Sequence, residues 1–506
     1  MTYLSSQKAQ FTVLAITTIV ALTVFLYGAN GIRGTDQYWY LGDVEALISK
    51  QDPLTNIIYP AKLLREHGAS PTPNYFMHNG PLLHFVAHVS ENSDPYRTWI
   101  LLNLISHLIV ALVIFAICKA YTTVHIAVWL TSLYLLSPIA IWQSINMLQE
   151  QLYSGLFALS ILWLAFPKIK WLQVLSTIFL LIGICSHPIF FILGIFNAVA
   201  WCIKGILDRQ HYKLVIGICL GVLYVLTKSF SNHYFPSSFQ PDLSAIISGS
   251  VPGKSNMLWH YSDTQAEINI ALLWNKFVFA VENHFLTMRN LPFYLYTNMA
   301  LLLLPVTILI GARKYPWILL FTLCISLGSY LAILVLMQIQ PRYQQIVAVV
   351  SFVSIGFGIK ELSGKFSSQK FNVLFNISAM FLVVTTASVS MYLAHTAHKQ
   401  SEAEAISMNM LDNNIEGLPL DARILILDST KHELKLSYAL KPRKVLAART
   451  DFIDTAALLK ATSIFDPTHV ISIKNIQWDG VSTKSVKAIQ DEYLGNIFIG
   501  RVNADR

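Results

Sequence analysis

Charge is scarce in this chain of 506 residues. Asp, Glu, Lys and Arg make up 13% of it, about half the roughly 25% of a soluble domain. Cysteine is scarcer. Cys118, Cys185, Cys202, Cys219 and Cys324 all fall within hydrophobic runs or at their edges, which excludes a disulfide framework or a Cys-ligated zinc site for the water-exposed parts. There is no Gly-rich phosphate loop, no internal repeat and no low-complexity run. Nor is there the inverted pair of half-chains on which many transporters are built. His78, His84 and His88 are spaced by six and four residues without an acidic or Cys partner, so packing or hydrogen bonding is expected of them, and no metal or cofactor.

Apolar sequence is what the chain has instead, at 54%. Runs of about 18 residues or more, long enough for a bilayer core of ~30 Å, recur through the first four-fifths. About eleven spans are expected: 11–29, 98–117, 125–142, 149–166, 171–186, 188–206, 213–229, 291–311, 317–337, 344–359 and 371–394. The 171–186 and 188–206 pair, split at His187-Pro188, reads equally as one broken or re-entrant unit. With the N-terminus inside, the inner segments carry a dozen basic residues, from Lys8 to Lys370, against Asp208 and Glu361 alone. Lys/Arg bias in short loops sets orientation, so the N-terminus is expected in the cytoplasm and the C-terminal tail outside. The pI near 9.0 and net charge of +8 therefore report topology, not nucleic-acid binding. The first span has the length of a signal-peptide core but no cleavage site convincingly follows, so it is read as an anchor. A cysteine-free exported part suits a bacterial periplasm, and hence a multi-pass protein of the inner membrane.

Two units follow: a membrane core over 1–394, with outer loops at 30–97 and 230–290, and a periplasmic α/β unit over 395–506. In the tail, strands are expected at Arg423–Leu427, Arg443–Ala447, His469–Lys474 and Asn496–Val502. Helices are expected at Lys431–Leu440, Phe452–Ala461 and Thr483–Tyr493, giving a small, mainly parallel sheet.

The segment after the first span, Gly34-Thr35-Asp36-Gln37-Tyr38-Trp39-Tyr40, continues with Leu41, Val44 and Leu47 among Asp43, Glu45 and Lys50. It reads as an amphipathic helix along the membrane surface, with Asp36 at its start. Trp39, Tyr38, Trp99 and Trp142 fit interfacial aromatic belts, although Tyr38 or Trp39 could stack on a sugar. Farther on come Tyr75–His84 with His78-Asn79-Gly80-Pro81, then Leu136-Ser137-Pro138, Asn146–Glu150 and Gln340-Pro341-Arg342-Tyr343.

In order and spacing, D-[E/Q]-x-x-Y at Asp36–Tyr40 and these later motifs resemble the GT-C superfamily of membrane glycosyltransferases. The resemblance covers roughly residues 10–360 and points to the bacterial branch of protein mannosyltransferases and aminoarabinose transferases. It implies a sugar taken from a polyprenyl-phosphate carrier and attached, with inversion, to a glycan, glycolipid or protein acceptor at the periplasmic face. The first-loop acid acts as general base in that family and falls here on Asp36. A second acid usually follows it, where this chain has Gln37. A carboxylate taking the acceptor's proton is worth ~10²–10⁴ in rate.

The remaining candidates are substrate-binding. Arg342, beside Tyr343, could hold the lipid phosphate in a bidentate fork and stabilise charge on the leaving group; snorkelling at the interface is its bland alternative. Lys228, Lys254 and Arg289 are weaker substitutes. Tyr40 completes the first motif, and His78 precedes Asn79-Gly80-Pro81 near the membrane. Asp43, seven residues from Asp36, could share its helix face, although a solvated surface acid is the commoner reading. Glu150 is an acid beside a span, where acids are rare, or a residue favoured by a helix dipole. His187-Pro188 reads as a helix-breaking turn. The competing functions are a polysaccharide polymerase or ligase, a lipid or solute transporter, and an envelope scaffold.

Overall fold

The structure is a computed structural model that describes residues 7–33, 35–49, 57–58, 60–65, 80–235, 348–365, 369–428, 432–449, 455–473, 483–491 and 495–502, with a few isolated positions between 271 and 346. The expected spans 291–311 and 317–337 lie outside the described residues, as does nearly all of the 230–290 loop.

The membrane part is a helical bundle. Its elements are α1 (Gln7–Gly28), α4 (Pro81–Ser90), α5 (Pro95–Tyr121), α6 (Val124–Leu135), α7 (Pro138–Ile145), α8 (Gln149–Ile161), α9 (Lys170–Ser186), α10 (Pro188–Leu207), α11 (His211–Tyr234), α12 (Ala348–Lys365) and α13 (Gln369–Ile415). Among the described residues five helices, α1, α5, α10, α11 and α13, are long and apolar enough to cross a membrane; α6 and α7, bent by 48°, make a sixth if taken as one span. This is a polytopic membrane fold. The bend falls at Leu136-Ser137-Pro138 because proline cannot donate to the helix ladder, and the Leu136 carbonyl at the break accepts from Ser390 Oγ of α13 at 2.7 Å. At His187-Pro188 the chain is extended, and His187 caps α10 through Nδ1, which accepts from Ile189 N at 3.2 Å. That is the helix-breaking turn expected there.

Close packing inside the bundle relies on small residues. A Cβ on Gly155 of α8 would stand 2.7 Å from Ser106 Cβ of α5, and one on Gly28 would stand 2.9 Å from Ile145 Cδ1. Without water to drive helices together in lipid, such backbone approach supplies the van der Waals contact.

α13 has 47 residues, about 70 Å at 1.5 Å per residue, more than twice the apolar thickness of a bilayer. Its buried Ala394, Ala397, Ser401, Glu404, Ser407, Leu411 and Ile415 recur every three or four residues, so one stripe of the helix is covered along its C-terminal half. The first part of that stripe packs with Val24, Phe25, Ile141 and Ile145. The last part enters the core of the C-terminal sheet.

That sheet contains β2 (Arg423–Asp428), β3 (Lys444–Arg449), β4 (His469–Ser472), β5 (Thr483–Asp491) and β6 (Gly495–Val502), with helices α14 (Glu433–Ala439) and α15 (Thr455–Phe465). A further strand, β1 (Ile57–Ile58), comes from the segment between α1 and α4 and pairs in parallel with β3, Ile57 opposite Val445. The order is β1-β3-β2-β4-β6-β5. β1 to β4 are parallel, whereas β6 and β5 are antiparallel. Alternate strand residues face opposite sides. Ile424, Ile426, Val445 and Ala447 meet Leu411, Ile415 and Leu436 on one face; Leu425, Leu427, Leu446 and Ala448 meet Ala457, Leu458, Phe465 and Leu63 of α3 (Pro60–Arg65) on the other.

One expected element changes type. Thr483–Tyr493 was to be a helix, and the structure has a strand there, paired with β6 from Thr483↔Val502 to Asp491↔Gly495, with an irregularity between Lys484 and Lys487. Val486 and Ile489 are spaced for a helix, but only three residues separate Asp491 from Gly495, and a hairpin of that loop length satisfies the backbone of both segments. All four expected tail strands and both other helices lie where expected, shifted by up to four residues.

Candidate functional site

The helix carrying Asp36, α2 (Thr35–Ile48), is not a surface helix. Tyr38, Trp39, Tyr40, Leu41 and Val44 are each at most 6% exposed, so no water-facing side remains over those turns. Tyr40, Leu41 and Val44 pack with Leu83 of α4, Trp99 of α5 and Leu152 of α8. Trp39 instead enters the apolar core of the C-terminal sheet, and the Tyr38 ring lies 5.3 Å from Tyr438. α2 is thus wedged between bundle and sheet, and this corrects both the amphipathic reading and the belt reading of Tyr38 and Trp39. Trp99, 1% exposed, stacks on Tyr40 with ring centroids 5.6 Å apart; it too is core, not belt. Periodicity misleads here because a second folded layer covers the face that would otherwise be wet.

The link from α1 into α2 is fixed by Arg33. Gly31 takes φ +142°, a conformation open to glycine and few others, and the turn sends the Arg33 side chain inward to 4% exposure. Its Nε donates to Asn146 Oδ1 at 2.8 Å, and its terminal nitrogens donate to Gly28 O at 2.8 Å, Ser401 Oγ at 2.8 Å and Ile145 O. These acceptors are uncharged. Burial pulls the guanidinium down to about 10, so it still carries its charge at neutral pH. Gln37 Nε2 donates to the same Asn146 Oδ1 at 2.8 Å and to Arg33 O. Asn103 Nδ2 of α5 donates to Asn146 O at 2.7 Å. The break between α7 and α8 is therefore tied to the first turn of α2, three residues from a buried cation that sequence reading passed over. Its only signal was position: Gly-Ile-Arg-Gly immediately before Thr35-Asp36.

A second polar chain runs from Tyr40. Its hydroxyl accepts from Gln149 Nε2 at 3.2 Å, and Gln149 Oε1 accepts from Tyr153 OH at 2.9 Å. The Tyr153 ring lies 4.9 Å from His187. Glu150 follows Gln149 in the first turn of α8 and is 1% exposed. Gly80 brings the start of α4 against the end of α9, where an added Cβ would stand 2.7 Å from both Cys185 O and Ser186 Cα. Only glycine allows that approach. Lys228 in α11 is half-buried and within electrostatic range of Cys185, whose carbonyl accepts from Ser231 Oγ at 3.1 Å.

The structure thus ties Arg33 and Gln37 to Asn146, and Tyr40 through Gln149 and Tyr153 to His187; Glu150 lies beside Gln149 in α8, and Lys228 lies near Cys185 of α9. Asp43 is also buried, at 2%, which corrects the solvated reading, and it acts electrostatically on Lys441, between α14 and β3. His84 and His88 are exposed. His84 contacts Phe235 edge-on, while His88 pairs with Glu91 at 3.4 Å. Among the described residues no group of His, Cys, Asp and Glu is arranged to hold a metal ion. The Asp36 side chain, and His78, Lys254, Arg289, Arg342 and Tyr343 altogether, lie outside the described residues.

No family model matches the chain, and no curated protein sequence matches it. Solved structures do. ArnT from Cupriavidus metallidurans, bound to undecaprenyl phosphate, aligns over 96% of this chain and 97% of its own, with TM-score 0.56 and 13% identity. The Archaeoglobus fulgidus oligosaccharyltransferase, in complex with Zn and sulfate, aligns over 91% and 67% with TM-score 0.53 and 12% identity. AglB from the same organism, with an inhibitory peptide and a dolichol-phosphate, gives 93%, 70%, 0.52 and 13%. These neighbours are GT-C membrane glycosyltransferases. The chain has their fold.

Proposed function

We propose that the protein transfers a sugar from a polyprenyl-phosphate donor to an envelope glycan or glycolipid, at the periplasmic face of a bacterial inner membrane. What supports this reading is the position of Asp36 along α2. It stands in the first turn of a buried helix whose start is tied to a break between two bundle helices, in a fold shared with an enzyme solved with undecaprenyl phosphate. In the reaction Asp36 takes the proton of the acceptor hydroxyl as that oxygen attacks the sugar carbon. The bond to the carrier phosphate breaks, and the leaving oxygen gains negative charge. Arg342 stabilises that charge, with Lys228 as a half-buried cation within electrostatic range of Cys185, beside the Gly80–Ser186 contact. Tyr40, Tyr343, His78, Asp43 and Glu150 complete the substrate-binding set as side chains that orient sugar, phosphate or the catalytic helix.

Purified protein given a polyprenyl-phosphate sugar and an extracted envelope glycan should release the carrier phosphate and lengthen the glycan. Asp36→Asn keeps the shape and the helix-capping capacity of aspartate but cannot accept the proton. Its turnover should fall on the order of 10² or more, with donor binding little changed. Near-normal transfer by this variant would reject the assignment.

A further inference from the structure

Glu404 of α13 and Lys435 of α14 form an ion pair of 3.0 Å with side chains 3% and 1% exposed. Tyr38 of α2 donates its hydroxyl to the same Glu404 Oε1 at 3.0 Å, and Lys435 Nζ also donates to Ser407 Oγ at 2.8 Å. Three elements from distant parts of the chain thus share one buried carboxylate. A second set of contacts lies two helical turns along α2. Tyr438 OH donates to Glu45 Oε1 at 2.8 Å, Lys441 lies 3.6 Å from Glu45 Oε2, and its ammonium stands 4.5 Å over the Tyr438 ring. Gly42 makes room for it, since a Cβ there would be 2.9 Å from Lys441 Nζ.

Buried ion pairs are poor sources of net stability, because desolvation offsets attraction and an apolar pair of similar volume often serves as well. What such a pair imposes is placement: Glu404 Oε1 keeps both Lys435 and Tyr38 as partners only when α2, α13 and α14 hold one mutual position. We infer that Glu404 and Lys435 are positioning residues for the transfer reaction, acting through Tyr38 to hold the helix that bears Asp36 two residues away. The C-terminal unit is then part of the catalytic apparatus without touching substrate. The inference rests on the role proposed for Asp36. A misplacement of about 1 Å at a reacting group can cost ~10²-fold in rate, so a loosened α2 is felt in the chemical step and little in donor binding.

The test uses the full-length protein in detergent, as wild type, as the double variant Glu404→Leu/Lys435→Met, and as Tyr38→Phe. Amide exchange over residues 37–48 and the kinetic constants for the donor are measured on each. The expected result is a folded double variant with exchange over 37–48 faster by roughly tenfold, kcat lower by roughly tenfold or more, and KM within about twofold. Tyr38→Phe should shift in the same direction by less. Wild-type exchange and wild-type kcat in the double variant would overturn the inference. So would faster exchange with unchanged kcat, or a loss carried in KM alone. If the double variant does not fold, Tyr38→Phe decides by the same criteria. If the wild-type protein transfers no sugar, the functional proposal fails while exchange over 37–48 still decides whether the pair holds α2.

Discussion

Gln37 occupies the position where the family resemblance leads one to look for a second acid, and its amide fills a role a carboxylate could not. It donates both to Asn146 Oδ1 and to Arg33 O, and two acceptors in that place would repel each other. Asn146 is the shared point of this small network, since Arg33 Nε depends on the same oxygen. Asn146→Ala leaves a buried guanidinium N–H and an amide N–H without an acceptor, a loss of about 1–3 kcal/mol. It should appear as a lowered melting temperature in detergent, with Asn146→Asp, which keeps the acceptor, losing less. On the leaving-group side, Arg342→Ala should weaken lipid-phosphate binding and turnover, and Arg342→Lys should recover only part, because lysine keeps the charge but not the bidentate fork. If Arg342→Ala turns over like wild type while Lys228→Ala does not, the phosphate role passes to Lys228.

Among the elements, the sheet shows how pairing overrides local pattern. β5 carries helix-spaced apolar residues, yet β6 lies three residues away in sequence and takes it as a partner. β1 is only two residues long and has no strand signal of its own; the free edge of β3 recruits it. Where β4 meets β6, His469 sits opposite Arg501, and burial together with that cation lowers its pKa from 6.5. The folded state therefore binds fewer protons than the unfolded chain. Stability from this site is complete above about pH 6.5 and declines as pH falls through that value and then through the lower folded-state pKa. Acidification from about pH 7.5 to pH 5.5 should speed amide exchange in β4 and β6, and His469→Gln should flatten that dependence. An unchanged profile in the variant would assign the acid sensitivity elsewhere.

At the scale of the whole molecule, α13 joins the two layers as one helix long enough to cross a bilayer and stand well clear of it. Its ends bracket the topology. A cysteine introduced at Lys365 should react with a membrane-impermeant maleimide only after the inner face is opened, and one at Glu416 should react from outside in spheroplasts. Labelling of both from one side would remove the odd number of spans and the periplasmic placement of the reaction.

The sequence by itself determined the membrane class, most helices of the bundle, the break at Pro188, and most of the C-terminal strands. These rest on apolar run length, on proline's missing donor and on short-range alternation, all local properties. The expected span 125–142 is bent at Pro138 instead of running straight. The sequence also marked Tyr40, whose hydroxyl accepts from Gln149, the residue before Glu150. The tertiary structure alone decided that α2 is enclosed, that Trp39 belongs to the sheet's core and Trp99 to the bundle's, and that Asp43 is buried. It alone brought Tyr38, Glu404 and Lys435 to one point, from positions 366 residues apart between Tyr38 and Glu404. Such contacts depend on which layer covers which face, and no periodicity within a single helix carries that information.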